Sequence, residues 1–263
     1  MDLRADAWVS EHNVPMALST SILVRVQALG GKFLGPDIGY SLVSIRDAGT
    51  GEVLAQGVAS GDSGVLTTNT APSAPPAGAT TNTVITGTSF QWLSADSGTA
   101  GFQATLDLDV PLLVDISAAA LVNGAPSSEH VTSARMWLTP GVDLTTEPGL
   151  VLVMPGLNVQ FLTPNPVQPA SSPLSVTVWV TMMCGCKIST TTDWPPSEFT
   201  VVLNVLDLSG NSVAQQALDL QQTSVYYNQQ PIDLPANAGY QLIVTAVQAS
   251  TSNSGSASTY ISL

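Results

Sequence analysis

The sequence predicts an all-β protein made of two antiparallel β-sandwich domains in tandem. Few segments sustain apolar residues at the i, i+3, i+4, i+7 spacing of an amphipathic helix, whereas β-branched residues, Gly and Pro recur throughout. Short runs that alternate apolar and polar residues follow one another between turn residues, which is the pattern of half-buried strands. With 263 residues and 44% hydrophobic content, the chain is long enough to build two cores.

The low charge of the chain restricts the classes of partner. Charged residues make up 10% of the sequence, against roughly a quarter in an ordinary soluble domain. Ser, Thr, Asn, Gln, Gly and Pro take their place, which is typical of extracellular, envelope or virion proteins. The net charge of −13 repels phosphate groups and argues against nucleic acid and anionic membranes. We therefore expect a protein partner or self-assembly, through strand addition at exposed sheet edges.

The sequence gives no sign of a membrane span or a secretory signal. No apolar run approaches the roughly 18 residues that cross a bilayer. The segment from Met1 to Trp8 carries acids where a signal peptide needs bases, and it lacks an apolar region. We expect either that the chain is not exported by that route or that a leader has been removed.

Strand patterns divide the chain into a front module, a linker and a rear module. In the front, residues 22–28 alternate, and residues 47–51 form a turn between two strands. Residues 63–100 are rich in Ser, Thr, Ala and Pro and are predicted to be a long inserted loop, anchored near Phe90 to Leu93. Four prolines between 164 and 173 predict a stiff linker. The predicted modules are therefore residues 1–163 and 174–263.

A succession of strand and turn segments in the front module carries a family resemblance. The segments are Leu23 to Ala28, Gly35, Val43 to Ile45, Ala48 to Ala55 and Gly61 to Gly64. Together they resemble the transthyretin-like or carboxypeptidase-regulatory-like sandwich. In that family a strand leads through a glycine turn into a hairpin with a Thr-Gly pair, followed by a Gly-Asp or Asp-Gly turn. The resemblance covers roughly residues 20–65, and the long insertion departs from it.

Two segments of the rear module indicate its fold. The even-numbered residues from Leu174 to Met182 fall on one face of a half-buried strand. The segment from Leu234 to Val244 resembles the tyrosine corner of the immunoglobulin and fibronectin type III sandwich. The resemblance implies that Tyr240 begins the penultimate strand and bonds back to the upstream backbone.

The run Met182-Met183-Cys184-Gly185-Cys186 contains both cysteines of the chain and leaves three interpretations open. On a continuous strand, Met182, Cys184 and Cys186 share a face, so they extend the core stripe as small buried groups. The same sulfurs suit copper or zinc, with His130 as a further ligand and His12 or Met16 as alternatives. A Cys184–Cys186 disulfide needs a bend at Gly185, because two extended residues span about 6.6 Å.

Catalytic patterns are weak, which favours a protein that is not an enzyme without deciding the question. His12 and His130 are the only imidazoles, and no Gly-x-Ser-x-Gly segment occurs. Asp107 and Asp109, with Asp115 nearby, could form an acid–base pair, although alternation with leucines favours a solvated strand face. The five tryptophans are expected in cores or between modules.

The preferred function is therefore that of a non-catalytic surface, appendage, virion or accessory-subunit component that acts through protein contacts. The alternative is a copper or zinc site at Cys184, Cys186, Met182 and His130, serving as a metal carrier or an enzyme centre.

Overall fold

The computed structural model describes residues 16–68, 79–86, 89–122, 125–164 and 170–263, and they form an all-β protein. Within these ranges no helix is long and apolar enough to cross a membrane. The strands are β1 Leu18–Ala28, β2 Ser41–Asp47, β3 Val53–Ala59, β4 Val65–Thr68, β5 Ala79–Thr86, β6 Ser89–Ser94, β7 Phe102–Leu108, β8 Leu112–Val122, β9 Ala125–Leu138, β10 Asp143–Leu144, β11 Leu150–Met154, β12 Leu157–Thr163, β13 Thr177–Met182, β14 Phe199–Asp207, β15 Ser212–Ala217, β16 Asp219–Gln222, β17 Val225–Tyr227, β18 Gly239–Gln248 and β19 Asn253–Ser262.

Two four-stranded sheets face each other in the front of the molecule. In one, β1 pairs antiparallel with β7 and parallel with β10 and β11. The other has the order β3-β2-β8-β9 and is antiparallel throughout. The predicted hairpin of β2 and β3 is confirmed. Its turn is stabilised by Asp47, whose Oδ1 accepts hydrogen bonds from the backbone N–H groups of Gly49 at 2.6 Å and Thr50 at 3.0 Å.

The predicted loop from 63 to 100 is wrong in part, because this segment contains three strands. β4, β6 and β5 form a small sheet in that order. Thr is a good strand former even where no clean alternation is visible, and Thr makes up half of β5. The anchoring near Leu93 is confirmed, since Leu93 is buried with Phe33 and Ala95 in a small separate cluster. Residues 69–78 and 87–88 lie outside the described ranges.

The strand order of the rear sheets is that of an immunoglobulin-like sandwich. One sheet has the order β12-β13-β17-β16 and the other β15-β14-β18-β19. When β12 to β19 are lettered A, B, C, C′, D, E, F and G along the chain, these are the A-B-E-D and C′-C-F-G sheets of that fold. The predicted tyrosine corner is confirmed, because the buried Tyr240 at the start of β18 donates a hydrogen bond from Oη to the carbonyl of Pro235 at 3.1 Å.

The predicted boundary at residue 164 falls inside the rear sandwich. β12 pairs antiparallel with β13, with Leu157 opposite Met182 and Val159 opposite Val180. The proline-rich segment therefore joins the first two strands of the rear sandwich, since prolines interrupt strands in loops as well as in linkers. The chain passes from β11 to β12 through only Pro155 and Gly156.

The front and rear sheets meet through specific contacts. The indole N–H of Trp194, a buried side chain, donates to the carbonyl of Gly30 at 3.0 Å. The buried Asn253 accepts a hydrogen bond from Gly156 N at 2.6 Å, and its amide donates to the carbonyls of Gly156 at 2.9 Å and Leu29 at 3.3 Å. The prediction of a tryptophan between modules is thus confirmed for Trp194.

Candidate functional site

The two cysteines lie in a tight turn at the end of β13. The backbone N–H of Gly185 donates to Met182 O at 2.8 Å, and that of Met182 donates to Cys186 O at 3.1 Å. Gly185 adopts a φ of +77°, which favours glycine. The bend brings the Cα atoms of Cys184 and Cys186 to 5.3 Å and joins their sulfurs in a disulfide. Of the three interpretations, the structure shows the disulfide.

This turn packs tightly against the front loop that follows β1. A Cβ atom placed on Gly31 would lie 3.1 Å from Cys184 Sγ. A Cβ on Gly185 would lie 2.5 Å from the Cβ of Asp37. Cys184 is fully buried and Cys186 half-buried. The strand therefore does not continue through Cys186, and the three sulfurs do not line one extended face as predicted.

The copper or zinc site does not fit the oxidised turn. Both cysteine sulfurs are bonded to each other, so neither is a thiolate. Met182 is buried in the core, whereas His130 lies next to Gly156. Within the described residues no three His, Cys, Asp or Glu side chains converge, and His12 lies outside them. A metal site at Cys184, Cys186, Met182 and His130 stays a prediction for the reduced protein.

His130 lines a cleft of about 540 Å³ between the front and rear sheets. The opposite wall is the outer surface of β18 and β19, where Gln241 and Ser254 contribute polar groups. The floor is the Pro155-Gly156 connection. The cleft therefore offers hydroxyl, amide and imidazole groups, without a cluster of acids or bases.

The carboxylates considered for acid–base chemistry are not brought together. Asp107 and Asp109 are both exposed. Asp115 lies on β8, where it pairs with Arg135 of β9 through two hydrogen bonds of 2.6 and 2.7 Å. Hydrogen bonding to Arg135 holds the pKa of Asp115 below its ordinary value of 3.8. This carboxylate is therefore kept ionised by a surface ion pair and is not a proton donor.

The outward surface of the sheet β3-β2-β8-β9, which we call the front outer face, carries an unusual set of exposed groups. Trp137 is 62% exposed, and its strand partner is Leu113. The next row of the sheet places Asp115 between Arg46 and Arg135. Further rows contain hydroxyl and aliphatic side chains. Other residues on the outward side of these strands include Leu42, Gln56, Val53, Val58, Ser117, Ala119, Val131 and Ser133, and the buried Ser44.

The front outer face was missed at the sequence level, although a signal existed. From Val131 to Trp137 the odd-numbered residues face outward, while Ala134 and Met136 face inward. The expectation that tryptophans pack inside is wrong for Trp137. Strand alternation alone places Trp137 and Leu138 on the two different faces of β9, but it does not say which face is solvated.

Comparisons with known proteins give fold-level likenesses at low scores. No family model and no curated protein matches the sequence. A DUF3823 family protein from Bacteroides uniformis is 12% identical, with a TM-score of 0.27 over 94% of this chain and 99% of that chain. A tetra-tandem repeat from the extending region of a large adhesion protein is 10% identical, with a TM-score of 0.28 over 92% of this chain and 48% of that one.

The fibronectin(III)-like modules of Clostridium thermocellum CbhA are 10% identical, with a TM-score of 0.25 over 96% of this chain and 92% of theirs. All three TM-scores are low. The rear sheets are immunoglobulin-like by their own strand order and by the tyrosine corner.

Proposed function

We propose that the protein is a non-catalytic β-sandwich protein that works by binding another protein, as a surface, appendage, virion or accessory-subunit component. The observation that carries this proposal is the front outer face, with Trp137 exposed beside the Arg135–Asp115 pair. Trp and Arg are enriched among the residues that dominate binding energy at protein interfaces. An exposed indole of this size has no role in the core of its own sandwich.

The charge of the front outer face sets it apart from the chain as a whole. The chain carries 19 acidic and six basic residues. In one row of this face, two guanidinium groups, Arg46 and Arg135, flank the carboxylate of Asp115. A locally positive row on an acidic protein favours a partner surface that presents carboxylates and an apolar pocket for the indole. The aliphatic residues Val58 and Val131 widen the apolar contact at the ends of one row.

The proposal predicts that binding depends on Trp137. The full chain and its Trp137→Ser variant are used as baits in an extract of the source organism, and bound proteins are quantified by mass spectrometry. A true partner is enriched at least about tenfold more by the unmodified chain, as expected when one dominant contact of 1.4 kcal/mol or more is lost. Tyr260→Ser, at an exposed aromatic residue on the distant strand β19, is the matched control.

Two outcomes decide the proposal. A protein that binds the unmodified chain and the Tyr260→Ser variant, but not Trp137→Ser, supports it. Equal enrichment of every bound protein by Trp137→Ser and the unmodified chain contradicts it. Circular dichroism spectra and melting temperatures of the variants ensure that any loss reflects the face and not unfolding.

A further inference from the structure

The edge strand β19 lacks the features with which proteins protect a sheet edge. β19 is ten residues long and pairs with β18 in unbroken register from Gly239↔Ser262 to Gln248↔Asn253. It contains no charged residue and no proline. Unpaired N–H and C=O groups along an edge are a template for another strand, and proteins usually prevent such pairing with short strands, bulges, charges or proline.

The other edge strands in the described part of the chain each carry at least one of those features. β4, β10, β11 and β16 have five residues or fewer. β3, β5, β12 and β15 have shifts in register against their partners. β7 contains Asp107, and β9 contains Glu129 and Arg135. Among the described strands, therefore, β19 is the long edge that carries none of these protections.

Among the described residues, the free side of β19 is accessible over the later part of its length. Among the described residues, no strand other than β18 pairs with it. Leu157 of the opposing sheet approaches the inner side of β19 at Gly255. Beyond that point, Ala257 and Thr259 point inward, opposite Val244 and Leu242, and yet they are half-exposed. Ser256, Ala257 and Ser258 also line the cleft that His130 borders, so the edge becomes fully open towards the end of the strand.

The distribution of charge favours a second copy of this chain as the strand that pairs with β19. A net charge of −13 opposes contact between two copies through most surfaces. β19 avoids this penalty because it carries no charge, and the neighbouring outward residues Gln241, Ile243 and Thr245 of β18 are also neutral. An uncharged strand can lie opposite its own copy without placing like charges across the pair. Small Ser, Gly and Ala side chains leave its backbone approachable.

We infer that two copies of this chain associate by antiparallel pairing of their β19 strands across a two-fold axis. The β15-β14-β18-β19 sheets of the two copies then join into one continuous eight-stranded sheet. This contact uses an isologous interface, in which the same strand serves both partners. It uses no residue of the front outer face.

Sedimentation velocity of the full chain, from about 2 to about 200 µM, tests the inference. The unmodified protein is expected to shift from monomer to dimer with rising concentration. The Ser256→Lys/Ser258→Lys variant places like charges opposite each other and is expected to weaken association at least about tenfold. The matched control, Gln215→Lys/Ala217→Lys, puts two lysines at exposed outward positions on β15, the other edge of the same sheet, and is expected to dimerise like the unmodified protein.

The results separate this inference from the proposed function. A monomer at every concentration overturns it, and so does equal dimerisation of the unmodified protein and the β19 variant. Trp137→Ser is expected to dimerise normally. Loss of the dimer in that variant would place the contact on the front outer face and would also overturn the inference. Unchanged melting temperatures of both lysine variants show that they are folded.

Discussion

At the scale of single residues, Arg25 uses all five of its N–H groups inside the protein. Nη1 donates to the carbonyls of Thr99 and Ala100, and Nη2 donates to Asp96 O and Glu147 Oε1, while Nε donates to Glu147 Oε2. The side chain is 2% exposed. A buried charge of this kind is tolerated because every donor is satisfied. Arg25 thus ties the 96–101 loop and Glu147 to β1.

Replacing Arg25 is therefore expected to be costly. Arg25→Met leaves three carbonyls, two of them buried, and one carboxylate without their donor, and we expect a loss of about 3 to 5 kcal/mol in the free energy of unfolding. The matched control is Arg135→Met, which breaks an exposed pair and is expected to cost less than about 1 kcal/mol. Urea unfolding measures both. Equal losses in the two variants would contradict the role assigned to Arg25.

Tyr226 gives the molecule a specific alkaline response. Its buried hydroxyl has no hydrogen-bond partner among the described residues, and burial raises the pKa of Tyr226 from 10.0 to about 12. The folded state therefore favours the neutral phenol. This contribution is complete below pH 10 and is lost as the pH rises from 10 towards 12, because the unfolded chain loses its proton first.

Tyr226→Phe should remove this dependence. Between pH 9 and pH 11, the unmodified protein is expected to lose about 1.4 kcal/mol more unfolding free energy than the variant does. At pH 7 the variant should be at least as stable as the unmodified protein, because no bond of the hydroxyl is lost. Urea titrations at the three pH values measure this. A loss above about 1 kcal/mol at pH 7 would show that the hydroxyl has a partner after all.

At the scale of elements, the turn after β13 depends on Gly185 for two separate reasons. Its φ is positive, and a side chain there would collide with Asp37. Gly51, at a φ of +78°, has the first property without the second, because nothing lies within 4 Å of its Cβ position. A comparison of substitutions at these two glycines therefore distinguishes the cost of a strained backbone from the cost of disturbing the contact between Gly185 and Asp37.

We expect Gly51→Ala to cost about 1 to 2 kcal/mol, the penalty of a left-handed conformation alone. Gly185→Ala should cost at least about 3 kcal/mol, because overpacking adds to that penalty. The free energy of unfolding in urea distinguishes them. Similar costs for both substitutions would mean that the turn does not pack against Asp37 as described.

Local patterns predicted some elements well and others poorly. The Tyr240 corner and the Asp47 hairpin depend on residues within a few positions of each other, so both could be recognised. The alternatives for Cys184 and Cys186 stayed open because they depend on the φ of Gly185. The bonds of Arg25 could not be predicted, since its partners lie 71 to 122 residues away.

At the scale of the whole molecule, the assignment of β12 changes the division of the chain. The apolar run of residues 157–162 could complete either sandwich, and its hydrogen bonds to β13 place it in the rear. Leu157 and Val159 are buried there. A rear fragment that begins at residue 174 lacks this strand and exposes the edge of β13.

Fragments test this division directly. Residues 156–263 should unfold cooperatively on heating, whereas residues 174–263 should not, because the core side chains that face β12 are left open to water. Circular dichroism and one-dimensional NMR spectra distinguish the two. A fragment 174–263 that unfolds as sharply as 156–263 would return the boundary to the proline-rich segment.

The central claim is that the chain works through surfaces that it exposes, and oxidative footprinting with mass spectrometry tests it most directly. Trp137 and Tyr260 are 62% and 65% exposed and report on the front outer face and on β19. When the partner found by the bait experiment is added at low protein concentration, we expect oxidation of Trp137 to fall at least about fivefold and that of Tyr260 to stay unchanged. Unchanged oxidation of Trp137 in the complex would contradict the claim.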